Sequence, residues 1–417
     1  MMTEQESQLW WQRADLSYHG EALFFAGYSV EALAKRFGSP SFVYSFARVR
    51  DNLERVDAAL KAAQLPAGYT LLYAMKANRF APLLTSLQHT GLCGIDACSP
   101  REVEHAVSCG FRPDQISFTA GSLSRRDVEL LACYDGLFVD CDSLHAINAW
   151  GQCRPGSEIG IRVNPAMGVS RADNDKLQYA GTAATKFGIY EEQLDEALAL
   201  ARSHGLKITK IHFHTGCGYL TPELGQWDAV IGSCLEKFVA RCPDVTTVNV
   251  GGGLGVPHVA SDGTLDLQAW SAVLHKHFGN RNLRVEIEPG EYIVKDSGLL
   301  LLGKTFEETK QTTRFVGVDA GFNIAPEPAY YNLPFQPLAP RRSGPLKQVT
   351  VVGNINEALD VWYRDAWLPE LEGQESLVLI NAGAYSASMA SNHCMRGEMR
   401  EFLLADPRTS SAADTPQ

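Results

Sequence analysis

The sequence predicts an α/β fold, a (β/α)8 barrel followed by an all-β domain. Three observations carry this. From Pro40 onward, short apolar β-rich runs alternate with amphipathic helical segments. The alternation repeats eight times over the ~250 residues that such barrels span. After Glu288 the pattern changes, and strand-like runs follow one another with few helices between them.

The barrel strand candidates are Thr70–Ala74, Cys93–Ala97, Ile116–Thr119, Gly136–Val139, Glu158–Val163, Lys207–Phe213, Thr246–Val250 and Arg284–Ile287. Between them, segments such as Ser99–Cys109, Glu191–Ser203 and Leu267–Phe278 place apolar residues at helical spacing. A doubly wound open sheet is the rival reading of the same alternation. Farther on, Ser297–Thr305, Thr313–Asp319, Lys347–Val352 and Ser376–Ile380 read as strands. Phe24–Tyr44 is β-rich around a short helix, Ser29–Arg36, and would lend a strand to the C-terminal sheet. The expected organisation is a barrel over 45–295, a discontinuous β-domain from 1–44 and 296–404, and a disordered tail over 405–417. That tail is rich in Ser, Thr, Ala, Asp and Pro and has little to bury.

Charge and composition exclude several function classes. The 417 residues carry 37 basic and 48 acidic side chains, a formal charge of −11. An acidic surface repels phosphate backbones, so no nucleic-acid partner is expected. No apolar run reaches the ~18 residues of a membrane span, and the N-terminus lacks the basic-then-apolar order of a secretory signal. The ten cysteines form no CxxC pair and no zinc spacing. They read as the reduced thiols of a cytoplasmic protein.

Active sites of β/α barrels lie at the C-terminal ends of the strands. The first strand ends in Tyr73-Ala-Met-Lys76-Ala-Asn78. A lysine there can lose solvent and become a Schiff-base former; taken alone it reads more readily as an ordinary solvated or ion-paired residue. Asp96 ends the second strand, Arg162 the fifth, and His212 and His214 the sixth. Gly251, Gly252 and Gly253 follow the seventh, where barrels often hold phosphate, and three glycines let backbone approach an anion. The plain alternative is a tight turn. The run lacks GxGxxG spacing and is no dinucleotide fingerprint. Glu288, ahead of Pro289 and Gly290, could pair with a protonated ring nitrogen or simply sit at the surface before a turn. His212 and His214 also admit a metal with Asp96 or Glu288 as third ligand. The expectation is no metal, because the same strand ends offer a phosphate loop and a Schiff-base lysine.

Read in order, the motifs resemble one family. They are Tyr73-Ala-Met-Lys-Ala-Asn78, Lys186-Phe-Gly-Ile189, His212-Phe-His-Thr-Gly216, Val250-Gly-Gly-Gly253, Glu288-Pro-Gly290, Val318-Asp-Ala-Gly-Phe-Asn323 and Asn381-Ala-Gly-Ala-Tyr385. The chain resembles the fold-type III pyridoxal-phosphate (PLP) decarboxylases, the group of diaminopimelate, ornithine and arginine decarboxylases, and the diaminopimelate branch most. The likeness runs from Ser39 to Leu403.

The resemblance implies an alanine-racemase-like barrel, PLP as cofactor, an amino-acid substrate, and a homodimer with active sites at its interface. Lys76 would hold PLP as a Schiff base, and His214 would stack on the ring. Gly251, Gly252 and Gly253 would cradle the phosphate beside Cys217 and Gly290, with Tyr385 as a further donor. Glu288 would keep the pyridine nitrogen protonated, and Asp96 and Arg162 would border the cofactor. Tyr331, Glu357, Asp360 and Tyr385 would meet substrate, residues after Gly353 reaching across to the partner.

The departures from the family pattern are informative. Asn356 stands where the family has the Cys thought to return a proton to the substrate carbon, and an amide is no useful general acid near neutral pH. His393, Cys394, Cys98 and water are the replacement candidates. Cys217 stands for the usual Ser, a poorer donor to phosphate. Glu291 and Glu327 replace two Arg of the diaminopimelate branch that resemble a clamp for a distal carboxylate. As free charges they would favour a cationic or polar distal group and disfavour diaminopimelate. The alternative is that they pair internally, with Lys295 or Arg396. The expected function is therefore decarboxylation of an amino acid or an amino-acid-containing intermediate. The rivals are a PLP-dependent racemase, separated by CO2 release, and a non-catalytic PLP-binding protein.

Overall fold

The computed structural model describes residues 9–169, 171, 174–177, 179–181 and 183–408. Within it the chain divides into two compact units: Leu53–Val256 with Thr264–Tyr292, and Met1–Asn52 with Pro257–Gly263 and Ile293–Gln417.

The first unit is a closed parallel barrel. Its eight strands are Tyr69–Ala74, Gly94–Ala97, Ile116–Ala120, Phe138–Cys141, Glu158–Asn164, Lys207–His212, Thr247–Asn249 and Arg284–Ile287. Each pairs in parallel with the next, and Ile287 pairs with Leu71 to join the eighth to the first. Asp140 opposite Gly160 and Cys141 opposite Ile161 join the fourth to the fifth, so no edge is left and the open-sheet rival falls. The Ile189–Tyr190 bridge on Val163–Asn164 is an addition outside the ring.

Serine or aspartate caps start several helices directly after a strand. The Ser99 hydroxyl accepts from the Glu102 N–H, with Pro100 at the first helical position. Ser124 and Ser143 cap Arg125–Leu131 and Leu144–Cys153, and Asp266 accepts from Gln268 and Ala269 to start Leu267–Phe278. Each helix turns a short apolar stripe inward, such as Val103 and Ala106 or Trp270, Leu274 and Phe278. Ser99, Ser124 and Ser143 lie within four residues of the preceding strand's end, so strand and helix follow closely there.

The second unit is mostly β. Gly298–Lys310 is its spine, paired antiparallel with Ser376–Ile380 on one side and with Thr313–Val318 over its far half. Ser41–Ser45 pairs with Gly298–Leu301 and, in parallel, with Arg400–Leu404. A buried cluster including Leu16, Phe25, Leu33, Val43, Leu299, Val378 and Leu404 packs beneath this sheet.

Several elements of this unit are not evident in the sequence, four strands among them. The hairpin Leu16–His19/Ala22–Phe25 and the strand Arg400–Leu404 are too short to show a period. Val361–Leu368 is longer, but the register against Lys347–Val352 slips and Asp365 sits at φ 55°, which breaks the alternation. Of the tail segment, Ala405–Arg408 is described: buried Asp406 takes an ion pair from Arg50 at 3.0 Å and another from Arg408. Residues 409–417 lie outside the described residues. Among the described residues, no helix is long and apolar enough to cross a membrane. All ten cysteines are free thiols.

Candidate active site

The barrel strands bring Lys76, Asp96, Cys98, Arg162, His212, His214 and Glu288 to one cavity of about 280 Å³, which Thr119 and Phe187 also line. Lys76 Nζ lies 3.8 Å from Asp96 Oδ2 and 3.8 Å from Cys98 Sγ. Burial pushes the Asp96 carboxyl up to about 6, with the Glu288 charge adding to it while Lys76, His212 and Arg162 oppose. Burial likewise raises Glu288.

Glu288 is held from two sides. Its Oε2 meets His212 Nε2 at 3.1 Å, and its Oε1 accepts from Asn249 Nδ2 at 2.6 Å. Burial drives His212 down to about 3, so this imidazole is neutral, with its Nε2 facing the carboxyl group. His212 Nε2 faces Glu288, and His214 Nδ1 faces the Gly252 N–H. Among the described residues no group of three or more His, Cys, Asp or Glu is placed to hold a metal ion.

His214 sits two residues beyond the sixth strand. Its Nδ1 accepts the Gly252 N–H at 3.3 Å, and its Nε2 lies 3.5 Å from Cys217 Sγ. Burial holds its pKa well below the ordinary value, so the ring is neutral. The Tyr179 ring leans on it with centroids 4.9 Å apart. The Cys217 thiol is pushed up to about 11, mainly by burial.

The glycine loop is tight. A Cβ on Gly252 would lie 2.2 Å from the Glu288 carbonyl oxygen, and one on Gly253 would lie 2.3 Å from that of Gly216. Gly251 and Gly253 have φ of 71° and 98°, where side chains are strained. Two of the three N–H groups are already used: Gly251 donates to Asn249 Oδ1 at 2.9 Å and Gly252 to His214. Gly253 is the one of the three that neither side chain claims.

Glu291 is buried in the same unit. Its Oε1 accepts from the Val256 N–H at 3.4 Å and lies 3.9 Å from Arg171 Nη1. Arg162 stacks its guanidinium over Phe187 at 4.6 Å, and Gly290 is buried.

The remaining expected site residues belong to the second unit. Asn356 and Glu357 are exposed on the loop between two strands. Asp360 is buried, and its carboxylate is spent on that loop, accepting from the Phe322 N–H at 2.8 Å and the Ile355 N–H at 2.6 Å. Glu357 Oε1 lies 3.2 Å from His393 Nε2. Tyr331 ends the short helix Glu327–Tyr331, half-buried, and Tyr385 stands at φ 51° after the strand Ser376–Ile380. Glu327 forms an ion pair with Lys295, both buried. Its charge is met inside the protein, which is the pairing alternative and not a free anion.

The sequence reading passed over Asn249, which ties Glu288 to the glycine loop. The signal available was its place at a strand end directly before three glycines.

The family model for the pyridoxal-binding domain of pyridoxal-dependent decarboxylases matches residues 47–295. The diaminopimelate decarboxylase of Methanothermobacter thermautotrophicus is 32% identical, across 92% of this chain and 91% of its own length. That of Escherichia coli K12 is 29% identical, across 89% and 90%. The crystal structure of diaminopimelate decarboxylase from Helicobacter pylori, complexed with L-lysine, aligns with a TM-score of 0.81 at 26% identity, covering 90% of this chain and 94% of that one. With the closed barrel, the lysine and the glycine loop, these matches settle the family: the chain belongs to the pyridoxal-dependent decarboxylases, carboxy-lyases that act on amino acids with pyridoxal 5'-phosphate as cofactor.

Proposed function

We propose that Lys76 Nζ bonds PLP and that the enzyme removes the carboxylate on the carbon bearing the substrate's α-amino group. The observation that carries this is a lysine facing one buried acid, Asp96, beside a second, Glu288, that is fixed by His212 and Asn249. The residues fit the cofactor. Asp96 Oδ1 and His212 Nδ1 are buried without a hydrogen-bond partner among the described residues, so the cavity still has polar atoms to satisfy. The glycine loop has room for backbone and not for side chains.

When bound, PLP supplies the electron sink for the departing CO2. Glu288 would hold a proton on the ring nitrogen, its carboxylate steered by His212 and Asn249. His214 would offer an uncharged flat face to the ring, locked by Gly252. Phosphate binding would rest on Gly253, Gly290 and Cys217. Asp96 and Arg162 would border the lysine end of the cavity.

For the proton returned to the substrate carbon, Cys98 is a weak candidate, because burial pushes its thiol up to about 12. His393 has the better arrangement, an exposed imidazole beside the Glu357 carboxylate. We further propose a homodimer, with the exposed segment Asn356–Leu359 reaching the partner's site, and a cytoplasmic location, which the free thiols support. A dimer mass in light scattering tests the first.

Two observations bear on the substrate and point in different directions. The relatives are named diaminopimelate decarboxylases, which supports diaminopimelate. Against it, Glu291 and Glu327 stand beside Arg171 and Lys295, so neither position offers a cationic clamp of its own. We favour an amino acid whose distal end is polar and is not a second carboxylate. The Lys295 pair weakens the case for a cation there, because it leaves no spare charge on Glu327. Steady-state CO2 release from diaminopimelate, lysine, ornithine and arginine decides it. A clear preference for diaminopimelate would overturn the reading.

A further inference from the structure

Barrel interiors are usually filled by branched apolar layers. Here the layer below the site is ionic. Lys210 is 2% exposed, and its Nζ lies 2.9 Å from Asp140 Oδ2, 3.0 Å from Glu286 Oε2 and 3.0 Å from Ser117 Oγ. The ammonium also sits 4.2 Å from the Phe138 ring centroid. Gly160 makes the room: a Cβ there would lie 1.7 Å from Asp140 Oδ1 and 3.1 Å from Lys210 Cε. Side chains two apart on a strand share a face, so Lys210 stands directly under His212, and Glu286 under Glu288. Asn249 joins the two layers. Its Nδ2 lies 3.4 Å from Glu286 Oε2 and 2.6 Å from Glu288 Oε1, while its Oδ1 accepts from Gly251.

We infer that Lys210 is a positioning residue for Glu288, acting through Glu286 and Asn249. The inference rests on the reading that Glu288 meets the PLP ring nitrogen. Glu286 is a like charge on the same strand and, uncompensated, would disfavour the Glu288 carboxylate. Lys210 cancels that charge and pins Glu286 in place. The pinned carboxylate orients the Asn249 amide, which aims its N–H at Glu288 and its carbonyl at the glycine loop. A filler role would need none of this, since apolar residues fill such a layer without desolvating three charges. The charged and titratable groups around Glu288 are Lys76, Asp96 and Arg162 from the first, second and fifth strands, His212 and Lys210 from the sixth, and Glu286 from its own. Burial raises Glu288, and Lys76, Lys210 and Asn249 oppose it.

The test is PLP affinity, read by titrating PLP into apoenzyme, with the pH titration of the visible absorption band and the thermal midpoint recorded alongside. The double variant Lys210→Met/Asp140→Asn deletes a neutral pair and leaves Glu286 uncompensated. It is expected to weaken PLP binding by about tenfold or more, the equivalent of one pKa unit on Glu288, and to move the band's titration to higher pH. Adding Glu286→Gln removes the like charge and is expected to restore affinity to within about threefold of wild type, a rescue no mere packing role predicts. The inference is overturned if the double variant binds PLP like wild type, or if the triple variant stays as weak as the double. Should the double variant not fold, Glu286→Gln alone removes the charge that Lys210 balances and leaves Asn249 bonded to Glu288 and Gly251. The band's titration is then expected to move to lower pH at an unchanged midpoint, and a titration like that of wild type overturns the inference. If instead wild type itself takes up no PLP, it is the reading of the site that fails.

Discussion

His214 Nδ1 accepts the backbone N–H of Gly252 at 3.3 Å, which ties the ring expected to face PLP to the loop expected to face its phosphate. The two motifs come from different strands, and this bond sets one against the other. His214→Phe keeps a flat ring and removes the acceptor, leaving the Gly252 N–H unsatisfied at a cost of ~1–3 kcal/mol. PLP affinity measured on apoenzyme should fall by about 5- to 150-fold. An unchanged affinity would mean that the bond does not position the ring.

Gly252→Ala should be more damaging than its one added methyl implies. The new Cβ would meet the Glu288 carbonyl oxygen at 2.2 Å, backbone against backbone, so the loop or the Glu288 strand end must move. Overpacking of this kind costs about 1–3 kcal/mol. Urea denaturation should show that loss, together with weaker PLP binding. A fully stable variant that binds PLP normally would place the loop elsewhere.

Much of this site was legible because its residues stand at strand ends next to distinctive neighbours. Lys76, Glu288 and the glycine triplet could each be picked out by position. Lys210 and Glu286 could not, because a charged residue inside a barrel strand reads as a break in an apolar run. Only the period-two pairs Lys210–His212 and Glu286–Glu288, seen against the closed barrel, show that they face inward together. For Glu327 the sequence leaves two readings open, a free charge or a pair with Lys295 or Arg396, and the fold decides for Lys295. Val361–Leu368 was hidden by its own irregularity at Asp365.

Asp96 predicts a pH signature for the apoprotein. Its folded pKa is raised from 3.8 to about 6, chiefly by burial. The neutral acid is favoured in the fold, so no penalty applies below the unfolded pKa near ~4. The penalty grows as pH rises through about 6 and is complete above it, roughly 3 kcal/mol. Asp96→Asn lacks it. Relative to wild type, the variant should gain stability between about pH 4 and about pH 7, followed by thermal denaturation of apoprotein at both ends. A gap independent of pH would show that Asp96 is not held in this environment.

The buried Lys295–Glu327 pair should behave as a unit. Lys295→Met leaves a buried carboxylate and should destabilise by ~3–5 kcal/mol. Lys295→Met/Glu327→Gln should recover most of that loss, since exchanging both partners for uncharged residues of similar size is often near neutral. Recovery of stability with KM unchanged would mark Glu327 as structural, whereas a shifted substrate preference in the double variant would return it to the substrate pocket.

The proposed role of Lys76 as the residue that bonds the cofactor is open to borohydride reduction of the PLP-loaded enzyme followed by peptide mass spectrometry. A phosphopyridoxyl adduct on Lys76 is expected, together with loss of the visible absorption band in Lys76→Ala. An adduct on another lysine, or a band that survives Lys76→Ala, would contradict it.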